Sequence, residues 1–246
     1  MASAATSIDL QRVDKTNRKT SWVWRFITSS IGAKYIMAIS GVILVGFVIG
    51  HMAGNLQMFM GWEKLNAYAA FLQSLGELLW VVRIVLLVAV VAHILSGLRL
   101  AWINTKARPV RYRKQKSMHT TLFARTMAIS GSMLLAFIVA HLLQFTFGVA
   151  NPSIYAQEDP MGRHDVYAMV VRSFQQPAIS AVYIIAMALL GMHLSHGATS
   201  MFQSMGANNP KYNRCLSKVG PVLGWLLFLG NIAMPVAVLL GFITLR

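Results

Sequence analysis

Five long apolar stretches alternate with short polar ones along this chain, at residues 33–59, 78–103, 123–149, 177–202 and 221–245. Each exceeds the roughly 20 residues that carry a helix across the hydrocarbon core of a bilayer. The pattern predicts an all-α integral membrane protein with five transmembrane helices. Residues 1–30 form a basic, interfacial segment, and 31–246 form a single transmembrane domain. Ser21-Trp-Val-Trp-Arg-Phe26 reads as headgroup-depth sequence, because tryptophan favours the membrane–water boundary. No apolar core with a small-residue cleavage site closely follows the basic start, so no cleaved signal peptide is expected. The first and third polar loops each have room for a short surface helix, at 63–75 and 165–174.

Composition agrees with that reading. Charged residues make up 12% of the chain and hydrophobic ones 56%, against about 25% charged in soluble domains. The net charge of +15 would suggest nucleic acid in a soluble protein. Here the basic residues lie between apolar runs, so they set orientation and offer a docking surface instead. Lys106, Arg108, Arg111, Arg113, Lys114 and Lys116 fall between the second and third runs, and Lys211, Arg214 and Lys218 between the fourth and fifth. The first loop is nearly balanced, and the third sets Glu158, Asp159 and Asp165 against Arg163 and Arg172. Positive charge stays inside, so the N-terminus is expected in the cytoplasm and the C-terminus outside. The single cysteine, Cys215, excludes an intrachain disulfide and a thiolate-held iron–sulfur cluster.

Four of the apolar runs contain a histidine, which is costly in hydrocarbon unless paired or ligated. Met37-Ala-Ile-Ser-Gly41 leads to His51, and Met127-Ala-Ile-Ser-Gly131 leads to His141 at the same spacing. His93-Ile-Leu-Ser-Gly97 matches His193-Leu-Ser-His-Gly197. A helix pair carrying two histidines thus occurs twice. Given the expected orientation and the rise of about 1.5 Å per residue, His51 and His141 fall in the outer half of the membrane. His93 and His193 fall in the inner half. Two imidazoles at equal depth on facing helices suit the two axial positions of a haem iron, and filling both leaves electron transfer as the task. Gly97 and Gly197 leave room for a flat macrocycle. No carboxylate accompanies the histidines within the apolar runs, which disfavours a di-metal site. His196 competes with His193, but the His-x-x-x-Gly repeat selects His193. His119 and His164 fall in loops, where a solvated surface position is expected.

The chain resembles the cytochrome b membrane subunit of succinate dehydrogenase and fumarate reductase, in its five-helix, two-haem form. The resemblance covers about residues 30–245. It rests on His51-Met-Ala-Gly-Asn-Leu-Gln57, Asn66-Ala-Tyr68, Leu75-Gly-Glu-Leu-Leu-Trp80 with Arg83, His93-Ile94, His141-Leu-Leu143, Asp165-Val-Tyr167 and, most specifically, His193-Leu-Ser-His-Gly-Ala-Thr-Ser-Met-Phe-Gln-Ser-Met-Gly206. It implies two haems b, a distal one on His51 and His141 and a proximal one on His93 and His193. It also implies a flavoprotein subunit with FAD and an iron–sulfur subunit on the cytoplasmic face of a bacterial inner membrane, with menaquinone as the quinone. The spacing from the third to the fourth run is wider than in that family. Glu77, Trp80 and Arg83, near the outer start of the second run, are candidates for quinone or propionate contact. Lys34, Ser40, Arg99 and Arg125 are the candidates on the inner side, with snorkelling to the interface as the plainer account of Lys34 and Arg125. Two other functions fit less closely. One is a di-haem anchor of a hydrogenase or formate dehydrogenase, and the other is a transporter with a histidine proton relay.

Overall fold

The structure is a computed structural model, and it describes residues 21–107, 125–207 and 209–245. Among these the helices are α1 (Trp22–Ile27), α2 (Ser30–Asn55), α3 (Trp62–Ser74), α4 (Glu77–Lys106), α5 (Met127–His141), α6 (Pro152–Tyr155), α7 (Val166–Phe174), α8 (Pro177–Ser204) and α9 (Pro210–Leu239). Five of them, α2, α4, α5, α8 and α9, belong to segments long and apolar enough to cross a bilayer. The protein is an all-α, multi-pass membrane protein. Lys106 is described, whereas the charges at 108, 111, 113, 114 and 116, together with His119, lie outside the described residues.

The helix starts follow local chemistry. Ser21 accepts a hydrogen bond from the Trp24 N–H, Ser29 from Gly32, and Asp165 from Ala168. Each satisfies one of the amides that a helix start leaves unpaired. Past His51, α2 tightens into a 3₁₀ turn at Leu56–Met60 that ends on Gly61 with φ 96°. Immediately after His141, α5 widens into a π turn at Leu142–Thr146. The two surface helices expected in the loops are α3 and α7, and both sit at the same end of the bundle.

The fifth span differs from expectation. It begins at Pro210, not near residue 221, so Lys211, Arg214 and Lys218 stand on the first turns of α9 and not in a loop. Asn209 bonds the Lys211 N–H, and Pro210 takes the first helical position, where its missing N–H costs nothing. That start outweighs Gly220 and Pro221 as a boundary. Pro221 and Pro235 both lie inside the helix, as transmembrane packing permits.

Helix α9 braces α8 along a seam of small residues. A Cβ on Gly220 would meet the Ser195 carbonyl and the Thr199 hydroxyl, and one on Gly224 would meet the Gly191 carbonyl and the Ser195 hydroxyl. Small side chains let backbones approach where lipid supplies no hydrophobic drive between helices. Gly224→Leu is therefore expected to pry α9 from α8 at a cost of about 1–3 kcal/mol or more. Thermal unfolding of the detergent-solubilised protein would show this as a lowered midpoint, and an unchanged midpoint would refute the seam.

The largest core lies at the α3 and α7 end, where Met58, Leu65, Tyr167, Val171, Phe174 and Met234 pack together. A smaller cluster joins Met52, Leu194 and Leu227 halfway along the bundle. By contrast α4 exposes Leu78, Ile84, Leu87, Val88, Leu95 and Leu98, a face suited to acyl chains.

Candidate metal centre

The bundle brings the four histidines together in two pairs. His51 of α2 and His141 of α5 have ring centroids 5.8 Å apart, with planes at 88°. His93 of α4 and His193 of α8 have centroids 6.3 Å apart, with planes at 57°. The first pair lies toward the α3 and α7 end, close to where α2 and α5 finish. The second lies deeper, at the same offset from the starts of α4 and α8. An imidazole nitrogen sits about 2.0 Å from a metal it binds. Two such rings on opposite sides of one iron, each adding its own half-width, therefore have centroids roughly 6 Å apart. Both pairs match that spacing.

The protonation of the rings fits as well. The His93 Nδ1 lies 3.1 Å from the Met37 carbonyl, which only accepts, so this nitrogen carries the hydrogen. Ser40 Oγ lies 3.3 Å from the same nitrogen and donates its own hydrogen to the Ile36 carbonyl. The His193 Nδ1 lies 3.2 Å from Ser130 Oγ, whose hydrogen goes to the Met127 carbonyl. The His141 Nδ1 lies 3.1 Å from the Tyr183 hydroxyl, which donates to Gln144 Oε1. At His93 the carbonyl makes Nδ1–H the donor, and at His193 and His141 each hydroxyl has another oxygen to take its own hydrogen, which suits the tautomer that keeps the Nε2 lone pair for a metal.

Comparison with family models, with characterised proteins and with solved structures found no match. The chemistry of the site therefore rests on its own geometry. Two imidazoles fall short of the four ligands of a closed tetrahedral metal site, whereas a porphyrin brings four nitrogens and needs two axial ligands. The donor set fits haem. Space beside the rings fits too. No atom lies within 4 Å of a Cβ built on Gly97, and on Gly197 only Met127 Cε approaches, at 3.9 Å.

The repeated phrase now has a physical meaning. In each copy the serine bonds the imidazole of the next span, and a Cβ on the following glycine, Gly41 or Gly131, would lie 3.4 Å from that ring's Cε1. A further element of the repeat escaped the sequence reading. Phe47 stacks on His51 at 5.3 Å and Phe137 flanks His141 at 5.8 Å, each one helical turn before its histidine. Ser130 was legible from the same repeat. Tyr183 and Gln144 carried no motif and emerge only from the fold.

The remaining candidates are spread along the bundle. Arg83 lies over the Trp80 ring at 4.9 Å. Glu77 opens α4 and is exposed, and the one ion pair among the described residues is that of Arg163 with Asp159. Trp80 and Arg83 are thus joined, and Glu77 makes no ion pair with Arg83. Ser40 is turned to His93. Arg99 donates to the Ile27 and Thr28 carbonyls at the end of α1, which ties this helix down and offsets its negative end. Lys34 and Arg125 are exposed. His196 is half-buried on α8 and belongs to neither pair. His164 is not a solvated loop residue: it is half-buried with its ring 4.7 Å from Tyr155.

A buried polar clasp closes the α3 and α7 end. Asn66, fully buried, donates to Asp159 Oδ2 and Asp165 Oδ1 and accepts from the Tyr167 N–H. Asp159 in turn receives the Arg163 side chain and the Met161 and Arg163 amides. These contacts fold the wide third loop onto α3. Burial alone would push the Asp159 carboxyl up, but the Arg163 guanidinium and the amides outweigh it and hold the group down at about 2. A carboxylate depressed in the fold stabilises it above the ordinary value of about 3.9. That contribution fades as pH falls from there through the folded value. Limited proteolysis at residues 157–165 in nanodiscs is expected to accelerate between pH 4 and 2, relative to an Asp159→Asn variant.

Proposed function

We propose that this chain is the membrane-anchor cytochrome b subunit of a succinate:quinone oxidoreductase, carrying two bis-histidine haems b. The reading is supported by the two histidine pairs at axial-ligand spacing, three of whose rings have an oxygen acceptor at Nδ1. His51 and His141 would hold the outer haem, and His93 and His193 the inner one. Bound there, the two haems would pass single electrons along the bundle between the membrane faces. The four imidazoles would hold the iron at each centre and leave it no open position for oxygen, so the chain's own residues would shut out oxygen chemistry. The acceptors at Nδ1 would hold the His93, His193 and His141 rings in one orientation.

The other parts of the proposal rest on the resemblance and on charge. Lys211, Arg214 and Lys218 at the head of α9 supply a basic face for the iron–sulfur subunit, with the FAD-bearing flavoprotein beyond it. Menaquinone would react toward the opposite end, where Glu77, Trp80 and Arg83 begin α4. The membrane is then the bacterial inner membrane, with the N-terminus in the cytoplasm and the C-terminus outside. The test is to purify the chain with its partners and record reduced-minus-oxidised spectra before and after adding succinate. A b-type band that succinate reduces, in a complex that reduces a menaquinone analogue, is the expected result. A colourless protein would defeat the proposal, and haem that ignores succinate would move it to another respiratory complex.

A further inference from the structure

The two histidine pairs are supported unequally. Three acceptors stand behind the rings of the His93–His193 pair: the Met37 carbonyl, Ser40 and Ser130. Behind the His51–His141 pair, among the described residues, one acceptor meets a ring nitrogen, the Tyr183 hydroxyl on His141. A tyrosine hydroxyl is an ambiguous partner, because it both donates and accepts. Were it to donate to Nδ1, the hydrogen of the ring would move to Nε2 and the ring could not bind metal. Gln144 removes the ambiguity. Its Oε1, 3.1 Å away, takes the hydroxyl hydrogen and leaves the oxygen to accept.

The local structure holds this relay in place. Gln144 lies in the π turn that follows His141, and such turns gather at functional positions. Ligand and glutamine therefore come from one segment, and the hydroxyl between them comes from α8. The Tyr183 ring is fixed by edge contacts to Phe137 at 5.0 Å, Phe174 at 5.1 Å and Phe145 at 5.8 Å. Ser180, fully buried one turn earlier, bonds the Phe174 carbonyl at 2.6 Å and anchors that turn of α8.

We infer that Tyr183 is the positioning residue of the His51–His141 centre, and that Gln144 sets the direction of its hydrogen bond. The inference rests on the haem reading above and deepens it. An imidazole that donates through Nδ1 is a stronger base toward its metal, and a stronger base favours the oxidised iron. The two centres then respond differently to loss of a hydroxyl. The outer one depends on a single oxygen, and the inner one has several.

The test is a redox titration of the whole complex, with low-spin haem signals recorded by electron paramagnetic resonance. Tyr183→Phe keeps the aromatic packing and deletes the acceptor. The expected result is an upward shift in the midpoint potential of one b haem, with the other unmoved. Gln144→Leu frees the tyrosine hydrogen to turn toward Nδ1. It is expected to weaken retention of the same haem by about ten- to a hundredfold. Gln144→Glu restores an acceptor and is expected to restore both haem content and the low-spin signal. Two unchanged potentials in Tyr183→Phe, or equal shifts in both, would overturn the inference while leaving the haem reading intact. If Tyr183→Phe assembles poorly, the contrast between Gln144→Leu and Gln144→Glu decides, and equal behaviour of the two counts against it. Absence of any b-type signal in the unmodified complex would instead defeat the haem reading itself.

Discussion

His93→Ala and His193→Ala are each expected to remove one of two b-type centres and to leave the other in place. On the proposed reading each ring would supply one of only two protein ligands at its level, and its partner across the 6.3 Å gap would not hold a six-coordinate iron alone. The pair toward α3 and α7 shares no ligand with this one. Haem content per chain should therefore fall by about half, and the spectrum should keep one set of low-spin features. Alanine at His51 or His141 should give the complementary loss. His196→Ala, one turn from His193 on the same helix, should leave both centres. Pyridine haemochrome assays and redox titration of the purified variants measure this directly. Two intact centres in either His93→Ala or His193→Ala would break the pairing.

Asn66→Leu is expected to do the most damage away from the histidines. Asn66 is fully buried and serves three partners: the carboxylates of Asp159 and Asp165 and the Tyr167 amide. Leucine has similar bulk and no polar atom, so the loss is one of hydrogen bonding and not of volume. A buried group stripped of its partner costs about 1–3 kcal/mol, and more when charged. With three groups affected, about 3 kcal/mol or more is expected, a large share of a typical fold's margin. The damage should be local. Hydrogen exchange should rise in α3, in α7 and in the loop between α5 and α7, while the seam between α8 and α9 stays protected. A variant with native exchange and native unfolding would show the clasp to be dispensable.

Both of these sites were partly legible in the sequence, for different reasons. The four histidines announce themselves because an apolar run gives a polar residue nowhere to hide, and because a duplicated phrase marks equivalent places. Depth then sorted them into pairs, from the orientation that loop charge implies together with helix rise. Asn66 was visible only as part of a family resemblance, and Asp165 beyond that only as a loop charge at the start of an expected surface helix. Nothing in one dimension says that an asparagine in one loop helix meets an aspartate about a hundred residues later. Tyr183 is harder still, since a tyrosine in an apolar helix is ordinary at the level of sequence. Its hydroxyl matters only because α5 changes to a π turn after His141 and delivers Gln144 to it. The start of α9 was misplaced because Gly220 and Pro221 look like a break. In the fold, Gly220 is there for close approach to α8, and Asn209 with Pro210 makes the true start.

The serine contacts have a consequence for how the protein is made. Ser40 and His93 both lie in the first pair of spans, and Ser130 and His193 both lie in the second. Each hairpin can therefore set the tilt of one imidazole by itself, as soon as its two helices have entered the bilayer. Neither hairpin holds both histidines of either pair. On the haem reading, the His51–His141 pair would be complete once the third span has left the ribosome and the translocon, and the His93–His193 pair only with the fourth, which would then fasten two prearranged halves. A cell starved of porphyrin should accumulate chains already inserted, with hairpins formed and halves loosely joined, ready to be completed when the supply returns.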